Sequence, residues 1–180
     1  DLSGRDPNGD PLGEPTETFV SSSTIQFSST GGQSHLDLIA DGVYAADLDG
    51  TPLDPAAFSH NRFPFTTEPG THEITVTALC RYSHSGEGLH RFVDPADGKV
   101  YLYTQFEIAD ARRMYADFEQ PDQKMTFELQ VIAPTGWTIV SNSPAPEPTE
   151  GPWEGMSRWS FEPTLPISTY LTALVAGGGR

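Results

Sequence analysis

Apolar side chains along this chain recur at every second position, in short runs broken by glycine, proline and aspartate. That period belongs to β-strands, whose successive side chains point to opposite faces. The stretch from Tyr101 to Glu107 carries it clearly. Leu102, Thr104 and Phe106 share one face; Tyr101, Tyr103, Gln105 and Glu107 share the other. Gln105 and Glu107 then stand side by side, about 7 Å apart along the strand. Earlier strands are predicted over residues 19–28, 35–40 (with Leu36 and Leu38 inward), 43–47, 62–66, 72–82 and 92–93. Gly31-Gly32, Asp41-Gly42 and Asp49-Gly50 read as turns, Asp41-Gly42 as a hairpin. Pro64 lacks a backbone donor and places its strand at a sheet edge. Residues 94–98 turn the chain into the strand of residues 99–107.

Beyond Glu107 the alternation stops. Asp110 reads as the cap of one short helical turn near 110–116, with Ala111, Arg112, Arg113 and Met114 behind it, and Pro121 ends that turn. Strands resume over residues 125–133, 137–142, 153–161 and 167–176, separated by loops at 134–136 and 144–152. Strands recurring roughly every 8–12 residues with turns between them predict an all-β sandwich or barrel. No internal repeat is visible.

Length and composition sharpen this picture at four points. A chain of 180 residues fits one domain with a real core. We place a flexible, Pro-, Gly- and Asp-rich arm at residues 1–16, a single β domain at 17–176, and the seam to a further domain at 177–180. A net charge of −15 argues against nucleic acid and anionic membrane as partners, because both demand basic patches. The one cysteine, Cys80, lies in an apolar β-run, so it reads as a buried strand residue in a reducing, cytoplasmic setting. No run of 18 apolar residues occurs, and the first four residues are no signal peptide.

Most candidate chemistry yields to plainer readings. The five histidines form no His-Glu-x-x-His; His72-Glu73 continues into a strand, where positions four apart share no helical face. Asp47-x-Asp49-Gly50 and Asp94-x-x-Asp97-Gly98 lack the later bidentate Glu of a calcium loop and read as turns. Asp117 and Glu119 read as ion-pair partners of Arg112 and Arg113 rather than as a glycosidase pair. Trp153 and Trp159 read as core before they read as a sugar platform, and Ser22 and Ser23 sit in no nucleophile elbow. Glu107 alone would pass for a solvated carboxylate.

Several motifs in a fixed order change that. The chain carries Thr104-Gln105-Phe106-Glu107, then Ala111-Arg112-Arg113, then Tyr115-Ala116-Asp117-Phe118-Glu119-Gln120-Pro121 and Lys124. Upstream stands Gly86-Glu87-Gly88-Leu89-His90-Arg91-Phe92; downstream stand residues 137–142 and Pro166-Ile167-Ser168-Thr169-Tyr170-Leu171. Together they resemble the N-terminal domain of the aminopeptidase N family of zinc metallopeptidases. Tyr115, Glu119 and Gln120 depart from it, standing where the family has Phe, Asp and Glu.

The resemblance covers roughly residues 74–176. It implies a saddle-like β-sandwich or barrel of antiparallel and mixed sheets, docked on a catalytic domain that holds the zinc and its His-Glu-x-x-His. It implies that Glu107 binds the substrate's α-ammonium and Gln105 lines the pocket for the first side chain. It also implies that this chain alone binds no zinc and cleaves no peptide. The alternative is a non-catalytic β-sandwich module for carbohydrate or peptide, or a scaffold relative.

Overall fold

The computed structural model describes residues 1–178. Eleven strands run β1 (Thr18–Asp37), β2 (Gly42–Leu48), β3 (Thr51–Leu53), β4 (Arg62–Arg81), β5 (Gly88–Val93) and β6 (Val100–Gln105). They continue with β7 (Gln130–Pro134), β8 (Trp137–Ser141), β9 (Thr149–Glu150), β10 (Met156–Ser160) and β11 (Leu174–Gly178). Helical structure among the described residues is confined to 3₁₀ turns at Pro55–Ala57, Ala111–Arg113 and Thr169–Leu171. The fold is all-β. Its sheets are ordered β1-β4-β2-β3, β7-β10-β9 and β5-β6-β11-β8. Every strand pair within them is antiparallel, and among the described residues parallel pairing is limited to an isolated bridge between Ser83 and His90.

One hydrophobic cluster draws side chains from all three sheets, including Leu36, Phe63 and Ile74 from the first, Val131 and Trp159 from the second, and Leu102, Ile139 and Leu174 from the third. Leu36 and Leu38 point inward, as the alternation predicts. Cys80 is fully buried, and burial pushes its thiol up to about 12, so it is an inert core residue.

The first sheet departs from the local turn signals. β1 and β4 pair in one unbroken register from Thr18↔Arg81 to Asp37↔Arg62. Gly31-Gly32 therefore does not reverse the chain. It lets the strand pass close to its partner: a Cβ on Gly31 would lie 2.9 Å from Pro69 Cδ. Pro64 sits in this ladder where β4 faces β1 alone, so the edge character expected of it is local. Asp41-Gly42 closes no hairpin either. β4 lies between β1 and β2, and the Asp41 N–H donates to the Leu79 carbonyl at 2.8 Å. Asp49-Gly50 does close one, pairing Leu48 with Thr51, with φ of 53° and 79° as a two-residue hairpin turn requires.

The first sixteen residues form no regular strand, yet they are anchored. Leu2 is only 7% exposed within the core, and its N–H donates to the Ile132 carbonyl at 2.8 Å. Asp6 is buried, accepting from the Tyr44 hydroxyl at 2.6 Å and from the Asn8 and Asp10 N–H groups. The Tyr44 bond is the main reason its carboxyl titrates below the usual range. Of the seam at residues 177–180, Gly177 and Gly178 end β11; Gly179 and Arg180 lie outside the described residues.

Two outcomes follow from these anchors. Leu2→Ala is expected to cost about 2–4 kcal/mol in urea unfolding, as for other core truncations, where a loose arm would cost nothing. The second concerns His72, whose Nδ1 lies 2.6 Å from Asp49 Oδ2. That bond, with the Glu68 carbonyl next, raises the imidazole's pKa. Its contribution is present below the unfolded value of about 6.5 and is lost as pH rises through the raised one. His72→Asn should therefore lower Tm more at pH 6 than at pH 9.

Candidate functional site

β6 is sandwiched between β5 and β11, so its side chains are sorted by two registers at once. Leu102 and Phe106 are buried, while Tyr103, Gln105 and Glu107 face outward. The last ladder pair is Gly88↔Gln105, and the strand ends there, two residues earlier than the alternation suggests. The cause is local. Gln105 Oε1 accepts the Glu107 N–H at 2.7 Å and takes a donor from the ladder. That bond holds the Glu107 backbone to the Gln105 side chain, and the Glu107–Ile108 peptide is cis. The Glu107 carboxylate has no hydrogen-bond or ion-pair partner among the described residues. Gln105 and Glu107 thus lie together, one coupled to the other and both open to solvent.

The motifs scattered along the sequence meet around this strand end. Arg113 packs over Gly88, the residue opposite Gln105; a Cβ there would lie 2.8 Å from Arg113 Cβ. Its guanidinium lies 2.7 Å from Asp110 Oδ1 and 3.6 Å from Glu87 Oε2. Asp110 therefore pairs with Arg113 and makes no side-chain cap on the 3₁₀ turn Ala111–Arg113, contrary to the expectation for it. Tyr115 meets Phe106 edge-on at 6.1 Å, and its hydroxyl lies 2.8 Å from Thr172 Oγ1. The Leu174 N–H donates to Thr104 Oγ1 at 2.8 Å. Asp117 and Glu119 do not form the ion pairs expected with Arg112 and Arg113. Glu119 instead accepts the Arg112 backbone N–H and the Thr169 hydroxyl, at 2.8 and 3.2 Å.

The outward face of the third sheet extends from this pair. Tyr103 is 38% exposed and lies opposite both His90 and Val175; Val175 in turn lies opposite Val140. His90 and Tyr103 rings are 4.9 Å apart, and Phe92 stacks on Tyr101 at 5.5 Å. Phe92, Tyr103, Val140 and Val175 thus form an exposed apolar row across four adjoining strands, and Gln105 lies beside it, next after Tyr103 on that face of β6. Alternation put Tyr101 and Tyr103 on that face; only the strand order reveals that Phe92, Val140 and Val175 join them. Trp159 is buried in the core and Trp153 half-buried against Gly9, so neither offers a sugar platform.

No three His, Cys, Asp or Glu side chains come together as metal ligands among the described residues. No helix among them is long and apolar enough to cross a membrane.

Comparison with known proteins agrees with the assembled motifs. Residues 55–171 match the Peptidase M1 N-terminal domain. The chain is 49% identical over 164 residues to an aminopeptidase N of Streptomyces lividans, covering 89% of this chain and 18% of that protein. It is 38% identical over 132 residues to an aminopeptidase N of Acetobacter pasteurianus, covering 71% of this chain and 36% of that one. Over 110 residues it is 34% identical to aminopeptidase N of Bos taurus, covering 58% of this chain and 11% of that protein.

Gly88 tests the assembly. Its φ is 64° and Arg113 occupies the space a Cβ would need. Gly88→Ala should lower stability by about 1–3 kcal/mol in thermal unfolding, the sum of left-handed strain and a displaced Arg113. An unchanged Tm would show that Arg113 does not pack there.

Proposed function

The chain belongs to the Peptidase M1 N-terminal domain family, and from that premise we propose that it is the N-terminal domain of a zinc aminopeptidase, which releases amino acids from peptide N-termini. The observation that carries this reading is the Glu107 carboxylate, exposed, unpaired and tethered through its backbone to Gln105. An exopeptidase must recognise a terminal ammonium. A carboxylate made partly dry by a docked second domain gives that ammonium a charge-assisted hydrogen bond, and an internal amide gains nothing comparable. Gln105 commits its Oε1 to the Glu107 backbone, which leaves its amide N–H groups to line the pocket of the first side chain.

In this reading the catalytic domain seats on the outward face of the third sheet, where Phe92, Tyr103, Val140 and Val175 are uncovered. Burying such a row is what an intramolecular interface of this kind requires. Zinc and its ligands belong to that second domain, and the present chain alone is inactive. The acidic surface agrees with peptide N-termini as substrate and with neither nucleic acid nor membrane as partner. A cytoplasmic location goes with the single buried thiol.

The ring contacts among Phe92, Tyr101, His90 and Tyr103 favour a second reading, a non-catalytic module that binds carbohydrate or peptide on the same face. The coding frame beyond Arg180 separates the two: a His-Glu-x-x-His there supports the peptidase, and its lack supports the module. In the full-length enzyme, Glu107→Ala should lose about 2–4 kcal/mol of transition-state binding, a fall of tens- to several hundred-fold in kcat/KM on aminoacyl amides. An unchanged kcat/KM would remove Glu107 from the site.

A further inference from the structure

Behind the Gln105–Glu107 strand end, residues 110–121 form a clasp between two sheets. Toward β1, the Ile39 N–H donates to the Arg112 carbonyl at 2.7 Å, and Asp37 and Asp117 exchange two backbone hydrogen bonds of 2.8 and 3.1 Å. Toward the 3₁₀ turn before β11, Thr169 donates to Glu119, and Ser168 Oγ donates to the Pro121 carbonyl at 2.6 Å. Three carboxyl groups sit in or beside this clasp, and their surroundings differ.

Asp37 Oδ1 has the Arg62 guanidinium Nε and the His35 ring Nε2 beside it, each at 3.7 Å. Glu119 accepts two hydrogen bonds, one at each oxygen. Asp117 is 2% exposed, and neither of its carboxyl oxygens has a donor aimed at it. The Arg112 guanidinium is close enough to favour charge on Asp117, but its buried Nε makes no hydrogen bond. Tyr115 completes the surroundings, its phenol held protonated mainly by burial. A carboxylate without donors, buried beside two other carboxylates, is among the least favourable groups a protein interior can hold.

We propose that Asp117 is carried in the fold as a neutral acid, and that this single proton keeps the clasp closed. Ionising Asp117 places an uncompensated charge beside Glu119 and Asp37 and drives residues 110–121 from β1. The direction of its titration agrees: burial first, then Glu119 and Asp37, push Asp117 up to about 9. An unfolded aspartate ionises near pH 4, so between about 4 and 9 unfolding releases this proton, and stability falls as pH rises across that window. The latch rests on the clasp's own geometry and does not depend on what Glu107 binds.

The test compares Tm of this chain and of Asp117→Asn, a neutral group of the same shape, between pH 5 and pH 9. The variant's Tm relative to the parent should climb with pH, by on the order of 10–20 °C over the range. A difference independent of pH would overturn the proposal. Should the variant fail to fold, the carbon chemical shift of the Asp117 carboxyl in the parent chain decides: neutral at pH 7 supports the latch, ionised at pH 7 overturns it. Amide exchange at Asp37, Ile39 and Asp117 reads the opening itself. Protection lost at pH 9.5 in the parent and kept in the variant is the expected result; equal protection in both would show that the clasp does not open.

Discussion

The register of β6 is the constraint on which the rest of the molecule depends. With neighbours on both sides, the strand must match β5 and β11 simultaneously, and its inward positions must fill the core with Leu102 and Phe106. A slip of one residue would turn Gln105 and Tyr103 into the core and expose Leu102, exchanging apolar burial for unpaired polar groups. Neither neighbour allows it. The exposed placement of Gln105, and of Glu107 beyond it, is thus a by-product of where Leu102 must go. Rigidity at the site is borrowed from packing on the opposite face of the same strand.

A strand end is nevertheless a place where backbone order fades, and the chain compensates with contacts from distant segments. Arg113 lies over Gly88, Tyr115 braces Phe106, and Thr104 holds the Leu174 N–H. Each contact joins residues far apart in sequence to the same few ångströms of strand. The clasp at residues 110–121 adds backbone bonds to β1, so the first and third sheets are linked through the segment that directly follows Glu107. The burial of Asp117 within that link runs against stability, as polar groups in well-determined regions often do.

The apolar row on the outer face of the third sheet is the complement of this arrangement. A sheet with one face in the core and the other toward solvent ordinarily alternates apolar and polar. Here Phe92, Tyr103, Val140 and Val175 break that rule on the solvent side, on four adjoining strands. Such a row has a cost in water that a second domain would remove.

Much of the local design was legible from the residues alone. Period-two alternation sorted Leu102 and Phe106 from Tyr103, Gln105 and Glu107, sent Leu36 and Leu38 inward and buried Cys80. Asp49-Gly50 turned the chain where its left-handed φ values demanded it. These are properties of one strand or one turn, set by sterics and by which face meets water. Other features answered to partners that no local pattern names. Gly31-Gly32 and Asp41-Gly42 carry the same turn chemistry as Asp49-Gly50, yet β4 pairs along the whole of β1 and separates it from β2. Asp110 could cap a turn, but Arg113 offered it an opposite charge at 2.7 Å. Leu2 anchors a segment whose composition reads as loose, because a place in the core existed for it. Glu119 and Asp117 are near neighbours in sequence and received opposite environments, one with two donors and one with none. Alternation decides which way a side chain points; which strand, charge or donor waits there is decided by burial and pairing across the whole chain, and only the tertiary structure contains that information.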